Sequence, residues 1–201
     1  MDETERSSGD LPSRDEALAL LREYTKKPGL VKHALAVEAA MRAHSRREGQ
    51  DEHGWGLVGL LHDFDYERWP DEENHPWRGS EILKEKGYPE WFTRAILSHA
   101  DYTGVARETS LERALYASDE LCGFLTACTL VRPDKSIHGL KLKSVRKRIK
   151  DKAFARGVDR GHIIDGAEQI GMELDEHIEF VMGAMRSVAD ELGLGGPDPH
   201  E

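Results

Sequence analysis

Apolar residues recur three and four apart along almost the whole chain, and no stretch of strand length alternates between apolar and polar. Such a chain can bury its hydrophobic side chains only by packing helix faces against one another, so the pattern predicts an all-α, multi-helix bundle. Ser13 with Glu16 forms a capping box that opens a helix through Leu18, Leu21 and Tyr24, which Pro28-Gly29 breaks. A second helix is expected over 30–48, stopped by Gly49, and a third over 51–62. The acidic, aromatic stretch 64–74 contains Pro70 and reads as a loop. Helices follow over 75–86 and 90–100, then a long one over 110–131 behind a second capping box, Thr109 with Glu112. A basic segment (141–152), a helix over 159–170 and a last amphipathic helix ending at Gly193 complete the pattern. Residues 1–12 and 194–201 are polar or rich in glycine and proline and are expected to be disordered, leaving one domain over 13–193.

Two hundred and one residues with 38% apolar content suffice for one core. The formal net charge of -10 argues against a general nucleic-acid binder, though not against a small anion, because a bound cation reverses the local potential. Cys122 and Cys128, six apart on one expected helix, point in different directions and read as small buried hydrophobes in a reducing compartment. The acidic start has no apolar signal core and no run of about 18 apolar residues occurs, so a cytoplasmic protein without a membrane span is expected.

Chemistry concentrates around the pair His62-Asp63, which closes the apolar run from Trp55 to Leu61. His33 lies one turn before Val37 on the second helix. Asp119 sits in the stripe Leu111, Leu115, Asp119, Cys122, Thr126, where neighbours bury their side chains. An ionised carboxylate there costs several kcal/mol unless a cation or a partner compensates it. A rotated helix would instead put Asp119 on a wet face with Glu112 and Glu120. His33, His62, Asp63 and Asp119 together offer two nitrogens and two anionic oxygens, a charge-neutral cage for a divalent ion that leaves positions open for water.

The order and context of these residues resemble the HD-domain superfamily of metal-dependent phosphohydrolases, in particular its small bacterial members. The strings that carry the resemblance are Val31-Lys-His33-Ala, Gly59-Leu-Leu-His62-Asp63-Phe-Asp65-Tyr, His75-Pro-Trp-Arg-Gly79, Ile96-Leu-Ser-His99 and Ala117-Ser-Asp119-Glu-Leu. Together with the segment after Val131 they span roughly 13–193. The resemblance implies that His33, His62, Asp63 and Asp119 bind a first divalent metal (Mn, Fe, Co, Ni, Zn or Mg). It implies that His75 and His99 provide for a second, with Asp63 bridging. Alternatively, those two histidines contact substrate phosphate beside a single ion. The implied activity is attack of a metal-activated water on a phosphomonoester or phosphodiester, a nucleotide among the candidates. Two other readings stand beside it: a di-iron oxygenase of the same superfamily, and a metal-binding regulatory module without turnover.

The residues suggest further roles. Asp65, two past the pair, is a candidate for guiding the proton of that water, or a loop carboxylate in solvent. Arg78 and Lys135 are candidate phosphate contacts, or surface charges. Tyr66, Trp69 and Trp77 flank the expected pocket and are candidates for stacking on a base, or for core packing. The run Lys141 to Lys152 either lines an entrance for nucleotides or is a solvated face over Leu142, Val145 and Ile149. The partner expected is a small phosphorylated molecule; nothing in the pattern fixes an oligomeric state.

Overall fold

Both capping boxes close in the computed structural model, which describes residues 11–197. Ser13 N donates to the Glu16 carboxylate at 2.8 Å and Thr109 N to that of Glu112 at 2.9 Å. Each carboxylate thereby satisfies an amide that the first helical turn leaves without a partner. The helices are α1 (Arg14–Tyr24), α2 (Pro28–Glu48), α3 (Glu52–Leu61), α4 (Trp77–Glu85), α5 (Glu90–Ser98), α6 (Ser110–Leu130), α7 (Leu142–Ile149), α8 (Arg160–Gln169), α9 (Leu174–Arg186) and α10 (Ala189–Leu192). Among the described residues no strand forms; one isolated bridge joins Ser136 to Gly195.

Three local expectations shift. Pro28 opens α2 in the first-turn position, where its missing N–H costs nothing, so the break after α1 falls over residues 25–27. His75 precedes α4 in a turn rather than starting it. The last amphipathic helix is two helices, parted at Ser187, whose Oγ donates back to Ala184 O at 2.7 Å. The fold also extends past the expected limits of 13 and 193. Leu11 packs against the core, the Pro12 carbonyl lies 2.9 Å from His53 Nε2, and Leu194 is buried with its carbonyl accepting from Ile137 N at 2.8 Å. Residues 1–10 and 198–201, the remainder of the expected disordered ends, lie outside the described residues.

The two longest helices, α2 and α6, pack on one another; α3 and α9 cover α2, while α5, α8 and α9 cover α6. Every residue of α3 from Gly54 to Leu61 is buried. Its contact with α2 depends on Gly59, where a Cβ would stand 2.9 Å from Val37 O and 3.0 Å from Glu38 Cα. Without that side chain the helices meet backbone to backbone, and the end of α3 reaches the start of α2. Cys122 and Cys128 are free and buried, as expected of small hydrophobes. Among the described residues no helix is long and apolar enough to cross a membrane. In α7 Val145 is buried and Leu142 and Ile149 pack against the core, so the cations of the basic run stand on the outer face.

Candidate metal centre

Four helices and one turn bring six side chains together: His33, Asp63, His75, His99 and Asp119 line one cleft, and His62 lies buried behind it. His33 comes from the second turn of α2, His62 from the residue closing α3, and Asp63 from the next position. His75 comes from the turn before α4, His99 from the cap of α5, and Asp119 from the middle of α6. The carbonyl ends of α3 and α5 therefore both point at the cleft, and their partial negative charge favours a cation there.

The donors form two groups, His33 with His62 and Asp119, and Asp63 with His75 and His99; within each, the ligand atoms lie within 4.8 Å of one another. His33 Nε2 is 2.9 Å from Asp119 Oδ1, and His62 Nε2 is 3.5 Å from the same oxygen. Asp63 stands between the groups: Oδ2 is 3.6 Å from His62 Nε2, while Oδ1 is 3.2 Å from His75 Nε2 and 3.3 Å from His99 Nε2. One carboxylate thus faces both groups, the position a bridging ligand takes. Asp119 points inward, with about a fifth of its side chain open to the cleft (22%), so the rotated-helix alternative falls away.

The imidazoles are oriented from behind. His62 Nδ1 lies 2.8 Å from Gly59 O, His99 Nδ1 2.5 Å from Ile96 O, and His75 Nδ1 2.8 Å from Asp65 Oδ1. With Nδ1 donating in each ring, Nε2 is turned toward the carboxylates of Asp63 and Asp119 as the candidate ligand atom. His62 tests whether the residues fit a metal. Its Nε2 is fully buried and has no hydrogen-bond partner, the carboxylate oxygens at 3.5 and 3.6 Å being too far to serve. A buried nitrogen without a hydrogen-bond partner is costly, and a cation shared with Asp63 and Asp119 would remove the cost. The donor set of four nitrogens and two carboxylates suits Mn, Fe, Co, Ni or Zn.

Without a cation, protons do the neutralising. Burial opposes charge on Asp63, His75 and Asp119, but the imidazole–carboxylate contacts outweigh it. Asp63 is held well below the usual carboxylate range by the His62 charge and by hydrogen bonds from His75 and His99. Asp119 is lowered against burial by the His62 charge and the His33 hydrogen bond. His75, which burial alone would lower, is held up to about 10 by Asp63 and Asp65.

Three sequence expectations need correction. Asp65 is fully buried and absent from the cleft wall: Oδ1 meets His75 Nδ1, and Oδ2 accepts from Gly79 N at 2.8 Å. A Cβ on Gly79 would stand 2.8 Å from the Asp65 carboxyl carbon, so glycine leaves the room this carboxylate occupies. Asp65 stands behind the His75 ring and does not line the cleft. Arg78 projects outward from α4, whose inner face is Gly79, Ser80 and Leu83, and it pairs with Glu81 at 3.3 Å. Lys135 is exposed in the turn after α6. Neither cation lines the cleft, and neither does any residue of the basic run 141–152. Of the three aromatics, only Tyr66 lines it; Trp69 packs beside Tyr24 at 6.3 Å and Trp77 stands at the surface.

The sequence reading missed Asp101, Tyr102, Tyr116, Glu120 and His162, which line the cleft together with Leu30, Ala100 and Gly123. Tyr116 and Glu120 were within reach, because they lie three before and one after Asp119 on α6, but nothing local marks His162.

The family model for the HD domain matches residues 30–122, a stretch that contains all six donors and ends before α7. No curated protein and no solved structure matches the chain.

Proposed function

Because the chain belongs to the HD-domain superfamily through residues 30–122, we propose that it is a metal-dependent phosphohydrolase acting on a small phosphoester, with His33, His62, Asp63, His75, His99 and Asp119 as ligands for up to two divalent cations. The observation that carries this reading is the buried Nε2 of His62, which has no hydrogen-bond partner and is aimed between two carboxylates. A divalent cation held there supplies Lewis acidity toward phosphoryl oxygen and brings a water pKa toward neutrality. The chain's own residues do the rest. Asp63 and Asp119 supply the negative charge that retains the cations. Gly59 O, Ile96 O and Asp65 fix three of the imidazoles, so little reorganisation accompanies binding. Tyr66 and Tyr102 stand at the mouth, where they narrow the access of bulk water.

The test is elemental analysis of the purified chain together with turnover of chromogenic phosphomonoesters and phosphodiesters under Mn, Fe, Co, Ni, Zn and Mg in turn. Metal-dependent release of phosphate or alcohol supports the reading. Iron at about two per chain with oxygen consumption and no phosphoester turnover would replace it by the oxygenase reading, and metal binding without either activity by the regulatory one.

A further inference from the structure

The cleft reaches beyond the six donors. Its volume of about 380 Å³ lies at the lower end of the roughly 300–1,000 Å³ that small-molecule sites occupy, and its outer half is walled by Asp101, Tyr102, Tyr116, Glu120 and His162. His162 is contributed by α8, outside the stretch that matches the family. Resting on the phosphohydrolase reading above, we propose that this outer wall is a leaving-group subsite, and that it takes the hydroxyl-bearing part of a substrate carrying a single phosphate.

The wall is built and braced. His162 Nε2 lies 3.1 Å from Asp101 Oδ2, which ties α8 to the turn after α5. Asp101 Oδ1 accepts from Arg107 Nη2 at 2.8 Å. Arg107 is spent behind the wall: it also donates to Ser98 O at 2.9 Å and Gln169 Oε1 at 3.0 Å, and its guanidinium lies 3.7 Å over the Tyr116 ring. The opposite face of the subsite is set by the His162 ring, 5.2 Å from that of Tyr116. These side chains therefore keep their places without a ligand, the condition for recognition at low entropic cost.

The charge of the wall selects the ligand. No lysine or arginine is among the described residues lining the cleft, whereas Asp63, Asp101, Asp119 and Glu120 all do. The donor groups and their cations account for one phosphate. A second or third phosphate would find no free cation to receive it, because the one arginine near the wall, Arg107, is already engaged with Asp101, Ser98 and Gln169. A hydroxyl has the opposite fit, since it donates to a carboxylate and accepts from a phenol or an imidazole. An ammonium finds less here than the acid count suggests, because the Asp101 charge is already answered by Arg107. Tyr66 and Tyr102, 38% and 45% exposed at the rim, offer ring faces against the carbon skeleton of a sugar or polyol.

The experiment is a set of kcat/KM comparisons on the full chain with manganese. It pairs glycerol phosphate with propyl phosphate, ribose phosphate with aminoethyl phosphate, and a nucleoside monophosphate with its di- and triphosphates, with p-nitrophenyl phosphate as the reference ester. Hydroxyl-bearing monophosphates should lead their partners by about tenfold or more, the discrimination expected of a half-open site that hydrogen-bonds a hydroxyl. His162→Ala should reduce that selectivity by about tenfold relative to p-nitrophenyl phosphate, through KM more than kcat, and His162→Gln should restore part of it. Arg78→Ala, at the surface, should leave the selectivity unchanged. Preference for polyphosphates or for the amine overturns the subsite. So does an equal loss on every ester in His162→Ala, which would mark a purely structural residue. No turnover of p-nitrophenyl phosphate under any cation removes the phosphohydrolase reading itself and this inference with it.

Discussion

Two histidines eleven residues apart on α2, His33 and His44, show how little residue type decides. At 100° per residue they share one face of the helix, about 16 Å apart along its axis. His33 meets Asp119 at the cleft. His44 is buried beside the Phe180 ring at 4.6 Å and the His177 ring at 5.7 Å, and its Nε2 has no partner. Burial, aided by the neighbouring His177 and Arg47, pushes the His44 imidazole down to about 3, whereas the cleft holds His75 up to about 10. One end of the helix faces a cleft where carboxylates hold imidazoles, and the other faces a core that excludes the proton. The difference lies in what the facing helices supply: α6 brings a carboxylate, α9 brings a phenyl ring and a second neutral imidazole.

The sharpest way to break this contrast is to cross the two ends. Asp63→Ala should lower turnover by roughly 10³-fold or more and strip the bound metal, since it removes the one carboxylate facing both donor groups. His44→Leu should leave metal content and turnover as they are. Elemental analysis and steady-state kinetics on both variants check this, and metal loss in His44→Leu would erase the distinction.

Asp65→Asn should weaken metal binding by about 10–100-fold while the chain stays folded, because the His75 ring loses the carboxylate that orients it. Competition with a chelator of known affinity measures it, and an unchanged affinity would return Asp65 to a merely structural part.

Metal uptake should release protons. The metal-free cleft holds His75 protonated up to about pH 10, and the ligating ring is neutral, so each displaced proton weakens apparent affinity by about tenfold per pH unit on the acid side. Calorimetry in buffers of different protonation enthalpy reads the number directly.

The smallest effect belongs to the core. His44 stays neutral in the folded protein down to about pH 3 but takes a proton near 6.5 once unfolded. Unfolding therefore binds a proton between those values, and stability present above pH 6.5 is lost as pH falls toward 3. At pH 5 the loss from this group is about 2 kcal/mol. Urea unfolding at pH 8 and pH 5 should show that loss in the wild type and a smaller one in His44→Leu; equal losses would mean His44 is not kept neutral.

Part of the candidate donor set was legible in the residues themselves because periodicity carries direction, whereas His75 and His99 entered through the family resemblance. The stripe through Leu111, Leu115 and Cys122 aimed Asp119 inward, and the apolar run of α3 forced His62-Asp63 to emerge at its end. Asp65 was misread for a reason of the same kind. Position two past the pair says that a carboxylate is near, but only the turn that carries it beneath His75, and the missing Cβ of Gly79, put it behind the ring. Arg78 was misplaced because its small neighbour Gly79, not the cation, turned out to mark the inner face of α4. His162 left no trace in sequence, since its place depends on how α8 docks on α6 and on a partner, Asp101, sixty-one positions earlier.

Titrating the metal-free chain with manganese, with bound ion counted per chain, bears most directly on the cage. Two donor groups sharing Asp63 predict about two ions for the wild type, about one for His99→Ala, and none retained in Asp63→Ala. A wild type that binds no ion, or the same count in Asp63→Ala as in the wild type, would contradict a centre built from these six side chains.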